Sequence, residues 1–235
     1  MRIAVFGGSF NPLHNGHAML ADTIVKELHY DKVLFVPTFI PPHKIVNESI
    51  AAEHRLGMIK AFCHSVPDNV FVAEDCEIRR GGVSYTFDTL TFLAEKYKNL
   101  LDGKLSFVMG DEVAAEFHKW KNPEGIAQIA DFIITHRYPD AGVLESKLVK
   151  NNPGKDYAGD FKARFDEKKF GYPCLYLKEP MLPVSSTQIR GRILENRSFK
   201  YLIPPAVYDY IKEHKLYINL ENQKWVNLHI KKSVK

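Results

Sequence analysis

The sequence predicts an α/β fold, a doubly wound parallel sheet with helices on both faces and a small C-terminal helical segment. Short β-branched or aromatic runs alternate with helix-period stretches along the chain, the pattern of strands joined by crossover helices. The first run ends in a glycine pair that opens onto a helical pattern, as strand-to-helix turns do in Rossmann-like sheets. A chain of 235 residues with 45% hydrophobic residues has enough apolar material for the core of one such domain.

Each element has its own reason. Arg2-Ile3-Ala4-Val5-Phe6 reads as the first strand. A helix is expected over 16–29, with Leu20, Ala21, Ile24, Val25 and Leu28 on one face. Strands are expected over 32–36 (Lys-Val-Leu-Phe-Val), 69–73, 104–109, 131–135 and 174–178, and helices over 51–64, 86–98 and 204–214. Leu90, Phe92 and Leu93 read as core, and Tyr208 and Tyr210 as exposed aromatics that leave room for a homo-oligomer. The stretch 139–173 is rich in charge, Gly, Asn and Pro and reads as a surface insertion, and 218–235 as a polar tail ending in Lys.

Composition narrows the function classes. A net charge of +4 suits small anionic substrates and is too weak to argue for nucleic acid. Cys63, Cys76 and Cys174 are odd in number and widely spaced, which argues against a disulfide framework or zinc knuckle and for a reducing compartment. The N-terminus turns polar after Phe6, too early for a signal-peptide core, and no apolar run approaches membrane-spanning length. A cytoplasmic protein is expected.

Two segments carry the chemistry. Gly7-Gly8-Ser9-Phe10-Asn11-Pro12-Leu13-His14, running on to Gly16 and His17, lies between a strand and a helix start. The glycines are expected to allow close approach and positive φ, and the helix start to favour an anion, with two imidazoles beside it. Neither a Walker-type Gly-Lys-Ser/Thr ending nor a Gly-x-Gly-x-x-Gly turn is present. The second segment is Val184-Ser185-Ser186-Thr187-Gln188-Ile189-Arg190. Pro183 stops any upstream helix, Ser and Thr are strong N-caps, Ile189, Ile193 and Leu194 begin an apolar face, and Arg190 stands one turn in. Two helix-start anion sites suit a nucleoside triphosphate.

Together, Gly7 to His17 and Ser185 to Arg190 resemble the paired motifs of the nucleotidyltransferase superfamily, and the chain is similar to its bacterial nicotinate-mononucleotide adenylyltransferases. Further stretches carry the narrower resemblance: Pro41-Pro42-His43-Lys44; Glu77-Ile78-Arg79 with Ser84 to Leu90; Phe107-Val108-Met109-Gly110 with Lys119-Trp120; and Tyr201-Leu202-Ile203-Pro204 through Tyr208, Ile211 and Tyr217. The match covers roughly residues 1–217, read as one nucleotidyltransferase domain. Where the family has Gly, a small residue and then Asp, this chain has Gly110, Asp111 and Glu112, and either carboxylate suits the adenosine side.

The resemblance implies transfer of the adenylyl group of ATP to nicotinate mononucleotide, giving nicotinate adenine dinucleotide and pyrophosphate. The attacking phosphate oxygen is already an anion, so positioning and charge neutralisation suffice. His14, His17, Lys44 and Arg190 are the implied catalytic residues. ATP would meet Gly7, Gly8, Ser9, Phe10, His14, His17, Gly110, Asp111 or Glu112, Ser185, Ser186, Thr187 and Arg190. The mononucleotide would meet Ser9, Lys44, Tyr85, Thr86, Trp120 and Arg137. Mg²⁺ would be carried mainly by the ATP phosphates and water, with no protein metal site. Asp88 and Thr89 have a plainer reading, capping and charging the helix they open. Two other functions stand beside this one: another transferase on the same frame, such as a pantetheine-phosphate adenylyltransferase or a cytidylyltransferase, and a non-catalytic nucleotide-binding module.

Overall fold

The computed structural model describes residues 1–42, 50–136, 166–177 and 182–218. Six strands form one parallel sheet: β1 (Ile3–Gly8), β2 (Lys32–Pro37), β3 (Phe71–Ala73), β4 (Leu105–Gly110), β5 (Ala130–Thr135) and β6 (Cys174–Leu177), in the order β3-β2-β1-β4-β5-β6. All five neighbouring pairs are parallel, with Val5 opposite Leu34 and Phe107 across the central strands. Because side chains of a strand alternate between faces, each central strand feeds two cores. Ala4, Phe6, Val33 and Phe35 lie in one, and Ile3, Val5, Leu34 and Val36 in the other.

The helices divide accordingly. The first core is closed by α1 (Asn15–Lys26) through Leu20, Ala21 and Ile24, and by α2 (Ala52–His64) through Met58, Ile59 and Phe62. The second is covered by α3 (Cys76–Arg80), α4 (Thr86–Tyr97), α5 (Asp111–Ala114), α6 (Pro123–Ile129) and α7 (Glu167–Phe170). Back on the first face are α8 (Ser186–Leu194), through Ile189, and α9 (Pro205–Glu213), through Val207 and Ile211. Consecutive connections after β1 and β4 therefore leave toward opposite faces. That divergence opens a crevice at the carboxyl ends of the strands, where ligands bind in open α/β sheets.

Every expected strand is present, within two residues at each end. Several side chains differ from expectation. Leu90 and Leu93 are buried, but Phe92 is 50% exposed, because it sits one position off the stripe that faces the sheet. Leu194 is likewise exposed at the last turn of α8. Tyr208 and Tyr210 are half-buried and pack against the first core. An added methyl on Gly57 of α2 would overlap the Tyr210 hydroxyl, so these rings join α9 to α2 and give no support to self-association. The exposed tyrosine of this segment is Tyr201. At the end of the 139–173 stretch, Phe170 is buried among Phe117, Phe132 and Tyr172, so residues 166–173 are not simply surface. The remainder of that stretch, and the tail from residue 219, lie outside the described residues.

Candidate active site

β1 delivers Gly7 and Gly8 to the crevice, and the chain then turns through Ser9–Leu13 into α1. The turn takes its positive φ at Phe10 (φ 45°), not at either glycine. A buried aromatic ring explains this: Phe10 is 1% exposed and lies 5.0–5.6 Å from His17, Phe6 and Phe35. Packing of that ring offsets the backbone cost. Gly8 serves close approach instead, since a Cβ there would stand 3.1 Å from the Phe10 ring. Gly16 does the same between α1 and the approach to α8, with His14 Nδ1 at 3.1 Å and Val184 Cγ1 at 3.2 Å from an added Cβ.

His14 is the N-cap of α1 and is 5% exposed, while His17 is half-buried one turn in. Their rings stack, with centroids 3.6 Å apart and planes 21° from parallel. The His14 backbone N–H donates to His17 Nδ1 at 3.2 Å. That bond makes Nδ1 an acceptor, so the neutral ring carries its proton on Nε2 and offers an N–H donor there.

α8 brings the second motif to the same place. Ser185 caps it, its Oγ accepting from Gln188 N at 3.2 Å. Ser186 Oγ donates to the Pro12 carbonyl at 2.8 Å, and Arg190 Nη1 donates to the Asn11 carbonyl at 2.9 Å. Arg190 Nη2 lies 3.4 Å from Thr187 Oγ1. The structure thus joins the two sequence motifs directly, as contacts across 174 and 179 residues.

At the end of β4 the two adjacent carboxylates part. Asp111 is 4% exposed, takes Glu112 N–H on Oδ1 at 2.8 Å, and meets His136 Nδ1 with Oδ2 at 2.6 Å. Glu112 is exposed and lines the crevice together with Gly110 and His136. Of the two carboxylates left open by the sequence, Glu112 is the one that lines the crevice, while Asp111 is bound up with His136.

The opposite wall is aromatic. Trp120 is half-buried, its ring 5.9 Å from Phe107 and 5.4 Å from Phe117, and it lines the crevice with Tyr85, Thr86 and Lys121. Lys121 Nζ sits 4.5 Å from the Tyr85 ring centroid and 3.0 Å from Asp88 Oδ2. Thr89 does not cap α4. Its hydroxyl donates to Glu77 Oε1 at 2.8 Å and accepts from Arg80 Nη2 at 3.0 Å. Glu77 Oε2 and Ser84 Oγ both accept from Phe39 N–H, at 3.3 and 3.1 Å. This buried network fixes the chain after β2 against the start of α4. Lys44 and Arg137 lie outside the described residues.

Composition and periodicity did not point to Arg55, His136 or Lys121. Arg55 is 4% exposed, and its Nη1 donates to the Ser9 carbonyl at 2.9 Å. Burial pushes its pKa below the usual guanidinium range, with Tyr217, Glu53 and Glu77 opposing the shift. On an amphipathic helix pattern it reads as an ordinary charged residue. Lys121 has a faint signal in the preceding Trp120.

The crevice between the walls has a volume of about 1760 Å³. That exceeds the roughly 300–1,000 Å³ of a site for one small ligand and suits two nucleotides side by side. A family model described as cytidylyltransferase-like matches residues 5–192. A protein of Borrelia garinii subsp. bavariensis, named "Probable nicotinate-nucleotide adenylyltransferase", is 34% identical over 222 residues, 94% of this chain and 98% of that one. A Treponema pallidum protein of the same name is 36% identical over 217 residues, 92% of this chain and 99% of its own. Among solved structures, Plasmodium falciparum nicotinic acid mononucleotide adenylyltransferase complexed with NaAD shares the fold with a TM-score of 0.66 at 20% identity, over 92% of this chain and 97% of that one. Its complex with APC gives 0.65 at 19%, over 92% and 96%. The chain belongs to the cytidylyltransferase-like family and, within it, to the nicotinate-nucleotide adenylyltransferases.

Proposed function

We propose that this chain joins the adenylyl group of ATP to nicotinate mononucleotide, with the His17–α8 side of the crevice holding the triphosphate and the Tyr85–Trp120 side holding the pyridine. The observation that carries this division is the direct bonding of the α8 start to the loop before α1, which sets two anion-binding helix starts against one crevice opposite an aromatic wall. A phosphate oxygen of the mononucleotide attacks the α-phosphorus of ATP in line. A P–O bond forms there as the bond to the β-phosphate bridge breaks, and pyrophosphate leaves.

The residues act by placement and charge. His17 Nε2–H is the donor for the phosphate under attack, with His14 packed against it. The N–H groups of Ser186 and Thr187 and the remaining guanidinium donors of Arg190 face the β- and γ-phosphates. Gly7 and Gly8 let the triphosphate lie close to the backbone, and Glu112 serves the ribose hydroxyls. Ser9 stands between the substrates. The donors on this side are imidazole, guanidinium, hydroxyl and amide. They recognise phosphate oxygens better than a hard cation, so a Mg²⁺ would be held by the triphosphate and water and would lower the charge of the departing pyrophosphate. Lys44 and Arg137 are assigned to phosphate and mononucleotide by resemblance alone. We place the reaction in a reducing, cytoplasmic setting on the free thiols of Cys63, Cys76 and Cys174. Among the described residues no helix is long and apolar enough to cross a membrane.

Substitution Trp120→Ala tests the division. Steady-state kinetics should show KM for nicotinate mononucleotide raised about tenfold or more through lost stacking, with KM for ATP little changed. A rise confined to ATP would contradict the assignment of the pyridine.

A further inference from the structure

Three of the four carbonyl oxygens of the loop Ser9–Pro12 are those of Ser9, Asn11 and Pro12, and each would repel a triphosphate if it faced one. Each is taken by a donor from elsewhere in the fold: Ser9 O by Arg55, Asn11 O by Arg190 and Pro12 O by Ser186. A fourth bond comes from beyond α9, where the Tyr217 hydroxyl donates to Asn11 Oδ1 at 2.8 Å, across 206 residues. The loop contains a left-handed Phe10, a conformation that persists only where the surroundings over-determine it.

Arg55 is the unusual member. It is buried, and among the described residues its Nε has no hydrogen-bond partner and no carboxylate pairs with it. A buried guanidinium in that state is costly, and among the described residues its hydrogen bond goes to the loop. Tyr217 lies near both Arg55 and Arg190, whose charges oppose the upward shift that burial imposes on its phenol. The buried cation therefore holds the Ser9 carbonyl, and the phenol links the closing segment of the chain to Asn11.

We propose that Arg55 and Tyr217 are positioning residues for adenylyl transfer, acting through Ser9 and Asn11 on the placement of the loop against the nucleotide. The proposal rests on reading the crevice as the triphosphate site. It makes the segment after α9 a strut of a loop at the opposite end of the sequence. Arg190 and Ser186 share the task but also face the phosphates. Arg55 bonds the loop and also lines the crevice, whereas Tyr217 bonds the loop from the side of the first core, so Tyr217→Phe is the cleaner report on positioning.

The test compares Arg55→Met, Arg55→Lys and Tyr217→Phe with the unmodified chain. It measures kcat, KM for both substrates, ATP affinity and stoichiometry by calorimetry, and Tm. Misplacement of the loop should lower kcat about 30-fold in Arg55→Met and about fivefold in Tyr217→Phe. Arg55→Lys, which keeps the charge and one donor, should recover part of the loss. KM for the mononucleotide should stay within about threefold. If kcat per ATP-binding site is unchanged in Arg55→Lys and Tyr217→Phe, and in Arg55→Met where it folds, the two residues serve only stability and the proposal fails, whatever happens to Tm. If the unmodified chain binds ATP but releases no pyrophosphate, the functional reading fails, and ATP affinity alone decides: an affinity unchanged in the variants overturns the positioning role. No ATP binding by the unmodified chain overturns both.

Discussion

His17 concentrates the residue-scale argument. Its Nδ1 is held by the His14 N–H and its ring is stacked on His14, so tautomer and orientation are both set before substrate arrives. Loss of a preoriented donor to the transferring phosphate should lower kcat in His17→Ala by about 10²–10³, with Tm changed little because the ring is only half-buried. Near-normal kcat, measured by pyrophosphate release, would remove His17 from the phosphate. Both histidines were legible in the sequence, because a glycine turn and a helix start surround them. The adjacent carboxylates were not: Asp111 and Glu112 differ only in which way a strand-to-helix corner turns them, and the partner that decides it, His136, is 25 residues away. Arg55 was illegible for a related reason, since a single charged residue on a helix carries no mark of burial.

At the scale of elements, strands and principal helices were readable because burial on two faces demands unbroken apolar runs and one-sided helices. The turn chemistry was less so. The positive φ expected of Gly7 or Gly8 falls on Phe10, whose aromatic packing no local rule anticipates. Phe92 and Leu194 are apolar yet exposed, because the edge of a helix stripe is drawn by its neighbours. Packing of α2 and α3 has a measurable consequence. Burial pushes the Cys63 thiol of α2 from 9.0 up to about 12, and the Cys76 thiol of α3 from 9.0 up to about 11, with Glu77 and Glu74 adding to the latter. Above pH 9 the unfolded chain releases protons that the folded chain retains, so folding stability is full below that pH and falls as pH rises toward the folded values. Half-buried Tyr97 and Tyr217 are shifted in the same direction, chiefly by desolvation. Thermal unfolding should therefore show a lower Tm at about pH 10.5 than at about pH 8, with a shallower fall in Cys63→Ala. A Tm independent of pH across that range would mean the thiols are not buried as described.

Across the whole molecule, the two motifs that lie at opposite ends of the sequence become one wall because β1 is central and α8 returns to its face. The other wall is built on the second face, from α4 and the turn carrying Trp120. The family supplies the reaction class, and the proposed division of the crevice into a phosphate side and an aromatic side gives each substrate its place. The most direct measurement is steady-state pyrophosphate release with ATP and Mg²⁺, comparing nicotinate mononucleotide with its amide and with pantetheine phosphate. Turnover should be highest with nicotinate mononucleotide and absent with pantetheine phosphate. Preference for the amide, or turnover with pantetheine phosphate in place of either pyridine, would contradict the account.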